Sequence, residues 1–174
     1  PPPPPFFQAE DGIRDQGDGL VGSEMCIRDR GIPMAFAAET GSVPVIAWWF
    51  LAINTVWSVI YDTLYAMVDR DDDLSVGIKS TAILFGRYDV IIVGMLMLLM
   101  AIMLVLAGAW LSLGWPWYAG ILVAVLLWAR QLFTVRGRDR EACFRAFLNN
   151  NWAGFALFVG LVCHFALAGA YGTA

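Results

Sequence analysis

Between Tyr61 and Thr81 the chain reads YDTLYAMVDRDDDLSVGIKST. Aspartate at this density suits metal or proton chemistry. Asp62 stands out, because it sits inside an apolar run that begins near Val43. A carboxylate placed within a membrane span costs about 2.5–3.5 kcal/mol on insertion scales, so it must face a polar cavity, a partner or an ion. Asp62, Asp69 and Asp73 are separated by seven and then four residues. At about 100° per residue they fall within roughly 20° of one line on a helix. Tyr65 lies near the same face and Asp72 on its flank, whereas Asp71 points the opposite way. Like charges stacked in a column repel one another unless a cation sits among them. Ligands that are all oxygen favour a hard ion, Mg²⁺ or Mn²⁺ rather than zinc.

Other readings of the same residues can be weighed. A solvated acidic loop would explain Asp71 to Asp73 but not Asp62. An EF-hand loop counted from Asp69 fails, because Leu74 stands where glycine is required and Ser80 where glutamate is required. A cation pathway through a transporter stays open, since acidic columns line those too. Just beyond the column lie Lys79 and Arg87. Carboxylates, a metal and a lysine together suit a diphosphate, whose oxygens the metal bridges while the lysine adds charge. The competing role for both cations is to set topology. His164 stands alone in an apolar run, which excludes a histidine-based triad or zinc site. Cys26, Cys143 and Cys163 share no metal or redox spacing and read as small apolar fillers.

The elements that carry these residues are membrane helices. Of the 174 residues, 59% are hydrophobic and only 15% charged, against about a quarter charged in soluble domains. Four apolar runs stand out, near Val43–Val68, Val90–Leu113, Trp115–Phe133 and Trp152–Ala170. Each approaches the roughly 20 residues that cross the hydrocarbon core as a helix, and none alternates as a barrel strand would. Gly31 to Ala38 reads as the end of a further helix. The expected fold is therefore an all-α polytopic membrane protein.

Downstream of residue 30 the cations are Arg70, Lys79, Arg87, Arg130, Arg136, Arg138, Arg140 and Arg145. They all fall between runs one and two, or at and after the end of run three. Two crossings separate those loops, so they share a side, and the positive-inside rule makes it cytoplasmic. Trp48, Trp49, Trp115, Trp117, Tyr118 and Trp152 lie at or near run ends, as an interfacial aromatic belt does, although Trp48 and Trp49 fit a core equally. The net charge of −4 offers nothing to attract nucleic acid, and no nucleic-acid partner is expected.

Residues 1–30 differ from the rest. They carry no apolar period, and no basic start leads into an apolar core as in a signal peptide. FFQAEDGIRD and VGSEMCIRDR resemble translated sequencing-adapter read-through. The segment reads as non-native or disordered, and residues 31–174 read as the C-terminal part of a longer protein.

YDxxYAxxDRxxD followed by GIKSTAxLFG resembles the second aspartate-rich motif of the UbiA superfamily of intramembrane prenyltransferases. Here it comprises Tyr61, Asp62, Tyr65, Ala66, Asp69, Arg70 and Asp73, then Gly77 to Gly86. The segments Pro33 to Ala38 and Arg140 to Trp152 support the resemblance, which covers essentially all of residues 31–174. It implies a bundle of nine transmembrane helices around a cavity open to the bilayer. Two aspartate-rich motifs there bind Mg²⁺, which holds a polyprenyl diphosphate for transfer to an aromatic acceptor, 4-hydroxybenzoate in the branch that resembles this chain most. The resemblance makes Asp62, Asp69 and Asp73 metal ligands and Asp69 or Asp73 the catalytic base, with Tyr65, Arg70 and Lys79 contacting substrate. It implies a bacterial inner-membrane protein with the acidic loop cytoplasmic. One departure is large: the first motif, of the NDxxDxxxD type, is absent, and no Asn-Asp pair occurs in the chain. As it stands the chain is expected to be inactive, with activity belonging to the intact protein.

Overall fold

The computed structural model describes residues 31–70, 73, 74, 77 and 80–171. The adapter-like residues 1–30 lie outside the described residues, as do Asp71, Asp72 and Lys79. The described chain falls into two compact units that meet between Asn54 and Thr55.

In the first unit, helix α1 spans residues 31–40. It stops because Gly41 turns left-handed at φ 72° and its N–H bonds the Ala37 carbonyl at 2.9 Å. Helix α2 follows over Val45–Val68, and its Phe50 stacks on Phe36 with ring centroids 6.3 Å apart. The helix read at Gly31 to Ala38 is present and two residues longer.

The second unit begins with the later turns of α2. It continues with α3 (Thr81–Phe85), a 3-10 turn at Gly86–Tyr88, α4 (Asp89–Trp110), α5 (Trp115–Val135) and α6 (Arg140–Tyr171). Helix α5 packs against α4 on one side and α6 on the other. No strand occurs among the described residues. Four helical segments are long and apolar enough to cross a membrane: Val45–Val68, Thr81–Trp110, Trp115–Val135 and Arg140–Gly169. Along α4, Val93, Met97, Met100, Leu104 and Ala107 are buried at alternating steps of four and three. The opposite face, with Ile91, Met95, Leu98 and Ile102, is exposed yet equally apolar. A helix that is apolar all round belongs in lipid, where only packing and polar groups distinguish one face from another.

The α5–α6 contact is set by small residues. A Cβ on Gly120 would lie 2.8 Å from the Ala156 carbonyl oxygen, and one on Gly160 would lie 2.8 Å from that of Pro116. Their hydrogens let the two backbones touch.

Two elements differ from the sequence reading. The fourth apolar run is expected from Trp152, but its helix starts at Arg140. Asp139 explains the earlier start: it is the N-cap, and its carboxylate accepts the N–H of Ala142, three residues ahead, at 3.0 Å. From there Ala142, Cys143, Ala146 and Asn150 are buried at helical spacing. Secondly, α2 does not run unbroken through the acidic segment. It ends at Val68, Asp69 sits in a bend, and helical turns resume at Arg70. Four aspartates crowd the C-terminal end of this helix, where the macrodipole and mutual repulsion both disfavour negative charge.

Of the expected aromatic belt, Trp48, Trp115, Tyr118 and Trp152 are exposed. Trp117 is a core residue instead, buried and donating from Nε1 to the Leu104 carbonyl at 3.2 Å. His164 packs as read: its Nδ1 accepts the Gly114 N–H at 3.0 Å and so closes the α4–α5 turn. Cys143 is buried and Cys163 exposed, both as free thiols.

Candidate active site

The last turn of α2 and the first turn of α6 carry most of the site. Tyr65, Val68 and Asp69 face Asp139, Arg140, Glu141 and Phe144 across an open cavity of about 620 Å³. Tyr65 is half-exposed into it, and its ring leans on Phe147 at a centroid distance of 5.3 Å. Tyr61 lies on the same phenylalanine at 4.2 Å. Phe147 thus orients both tyrosines from the far side, leaving the Tyr65 hydroxyl end toward the opening. The Asp69 carboxylate pairs with the Arg140 guanidinium at 3.6 Å, a partly solvated contact.

Asp69 and Asp73 remain one helical turn apart despite the bend, because the Asp73 N–H bonds the Asp69 carbonyl at 2.8 Å. Two oxygen donors so spaced suit a hard divalent cation as part of its ligand set. Seven residues of helix place Asp62 about 10 Å further along the axis than Asp69. Among the described residues no three His, Cys, Asp or Glu side chains converge on one metal position. Asp69 and Asp73 thus lie past the end of α2, and Asp62 about two turns deeper within it.

Arg70 turns away from that cavity. Its Nη1 donates to Asp89 Oδ2 at 3.1 Å. Asp89, wholly buried, also takes Arg138 Nε at 3.0 Å and Arg138 Nη2 at 2.7 Å. Arg138 Nη2 reaches the Arg87 carbonyl as well, at 2.8 Å. The hydrogen bonds it donates to Asp89 hold the Arg138 guanidinium above its ordinary pKa, so it stays charged. The backbone of Arg138 is left-handed at φ 53°, a conformation that non-glycine residues hold only when other bonds impose it. Asp89 thus ties the end of α2, the start of α4 and the α5–α6 loop together. Arg140 lies between this cluster and the Asp69 cavity and lines both.

Sequence reasoning missed Asp89, Arg138 and Arg140 as members of the site region. A signal was present for the first: Asp89 is the lone acid at the start of a 22-residue apolar helix, with Arg70 and Arg87 in the segment before it. Lys79 lies outside the described residues. Arg87 donates to the Tyr88 hydroxyl at 2.7 Å and stacks over its ring.

The sequence motif and this geometry meet in a comparison with known proteins: the description "UbiA prenyltransferase family" matches residues 31–155. The chain belongs to the UbiA prenyltransferase family. Its membership makes the four apolar helices part of an all-α, multi-pass membrane bundle. Curated relatives named 4-hydroxybenzoate octaprenyltransferase include one from Pseudoalteromonas atlantica, 52% identical over 77% of this chain and 47% of its own length. One from Shewanella is 56% identical over 75% of this chain and 46% of its own. One from Xanthomonas campestris pv. campestris is 55% identical over 79% of this chain and 46% of its own. The chain thus spans about half the length of the curated relatives it matches. No solved structure matches it. The transporter alternative finds no support in a UbiA-family chain with these relatives.

Proposed function

We propose that the protein carrying this chain transfers a polyprenyl group from polyprenyl diphosphate to 4-hydroxybenzoate, ortho to the hydroxyl, in ubiquinone biosynthesis. Diphosphate leaves. Relatives 52%, 55% and 56% identical to this chain over the aligned stretch are named 4-hydroxybenzoate octaprenyltransferase. The observation that carries the chemistry is the cavity where Tyr65, Asp69 and Arg140 face one another at the C-terminal end of α2.

In this reading Asp62, Asp69 and Asp73 would hold Mg²⁺, with further groups supplied by the rest of the intact protein. Bound there, Mg²⁺ would neutralise the charge that builds on the diphosphate as its bond to the allylic carbon breaks. Lys79 and Arg140 add positive charge for the same group. Arg70, expected from the sequence as a substrate contact, acts from behind: its bond to Asp89 fixes the chain that carries Asp69. The ring carbon ortho to the phenol oxygen bonds to the allylic carbon. Asp69 or Asp73 takes the phenol proton, which raises the nucleophilicity of the ring, and loss of the proton on the substituted ring carbon restores aromaticity. Tyr65 and Phe147 form an aromatic wall for the acceptor ring. The apolar surroundings keep water from the allylic cation. Asp62, deeper in α2, would supply a further carboxylate to the metal. The protein sits in the bacterial inner membrane with the charged loops in the cytoplasm, as the positive-inside rule requires.

The test is Asp73→Asn in the intact protein. The expected result is a kcat lower by about 10²–10³, with more Mg²⁺ needed for half-maximal rate. Unchanged turnover and Mg²⁺ dependence would remove Asp73 from the site.

A further inference from the structure

A groove runs along the α5–α6 seam and shares no lining residue with the Asp69 cavity. One end, about 380 Å³, is polar and cationic, with Arg130, Gln131, Thr134, Arg145 and Asn149. The other, about 530 Å³, is apolar, with Gly120, Val123, Ala156, Val159 and Cys163. Leu127 and Trp152 line both, so the two ends are continuous.

Two independent features of the polar end call for a ligand. Arg130 and Arg145 make no ion pair with a described residue; the pairs formed are Arg70 and Arg138 with Asp89, and Arg140 with Asp69. Gln131 is only 5% exposed, yet neither its amide oxygen nor its nitrogen has a hydrogen-bond partner. Buried side-chain amides left unpaired are uncommon in folded proteins. The apolar end fixes the shape of what would pair with them. From Leu127 to Trp115 is twelve helical residues, about 18 Å, close to the half-thickness of a hydrocarbon core about 30 Å deep. A free anion would use the arginines and leave this length empty.

We propose that this groove binds an anionic phospholipid from the leaflet beside the charged loops. Its phosphate lies between Arg130 and Arg145 and takes the Gln131 amide N–H, and one acyl chain runs along Gly120 and Val159. Arginine guanidinium to phosphate is the strong, charge-assisted pairing for such a headgroup. The inference needs the chain to lie in a membrane, and stands whichever acceptor the enzyme prenylates.

The experiment uses the intact protein in detergent micelles, supplied with phosphatidylglycerol or phosphatidylcholine, with retained lipids counted by native mass spectrometry. The expected result is preferential retention of phosphatidylglycerol. The double variant Arg130→Gln/Arg145→Gln should lose that preference, about fivefold for each arginine. Ala119→Trp, which fills the apolar end, should lower retention of both lipids while the arginines are intact. Soluble glycerol phosphate should compete poorly. Three results would each overturn the proposal: a double variant that melts as the wild type does in phosphatidylcholine and keeps its preference; full retention by Ala119→Trp; or competition by glycerol phosphate equal to that of the lipid. The last would mean a headgroup site without a tail.

Discussion

Replacing Asp89 with Asn tests whether the arginine cluster holds the site together. Asp89 is fully buried, while the Arg70 and Arg138 side chains are 28% and 37% exposed. Removing one partner of a buried ion pair costs about 3–5 kcal/mol. Both guanidinium groups can regain water here, and asparagine keeps one accepting oxygen, so a cost of about 2 kcal/mol is expected. For domains of 150–250 residues each kcal/mol moves Tm by about 2–4 °C, which gives a fall of about 4–8 °C. The measurement is thermal unfolding of the intact protein in mild detergent, followed by tryptophan fluorescence. A companion variant separates pairing from strain. Arg138→Gly loses the same bonds but relieves the left-handed backbone at φ 53°, so it should melt above Arg138→Ala. A Tm for Asp89→Asn within about 1 °C of wild type would refute the view that this cluster fastens three elements.

Asp139→Ala removes the N-cap of α6 and should cost about 1 kcal/mol, read as a modest fall in Tm. Gly160→Ala places a methyl against the Pro116 carbonyl; overpacking of about 1–3 kcal/mol outweighs the gain of about 1 kcal/mol in helix propensity, so Tm should fall rather than rise.

Much of this architecture was legible in the sequence, because membrane helices announce themselves by composition. The runs at Val43–Val68, Trp115–Phe133 and Val90–Leu113 correspond to helices within a few residues. The fourth was misjudged at its start. Hydropathy sees apolar residues, and Arg140 to Asn151 is polar enough to read as a loop although Asp139 caps it into the helix. Of the site, helical spacing places Asp62, Asp69 and Asp73 along one side of the acidic segment, but it carries no sign of the bend at Asp69. Arg70 was read as a substrate contact; its bond to Asp89, nineteen residues on, has no local signature. Arg140 pairs with Asp69 across 71 residues of sequence, a contact that only folding creates.

The central claim is metal-dependent prenyl transfer to 4-hydroxybenzoate by the intact protein. The direct measurement incubates its membranes with Mg²⁺, radiolabelled polyprenyl diphosphate and 4-hydroxybenzoate, with and without EDTA. The account predicts a labelled, prenylated hydroxybenzoate that forms with Mg²⁺ and disappears with EDTA. Label appearing only on a different aromatic acceptor, or product persisting in EDTA, would contradict it.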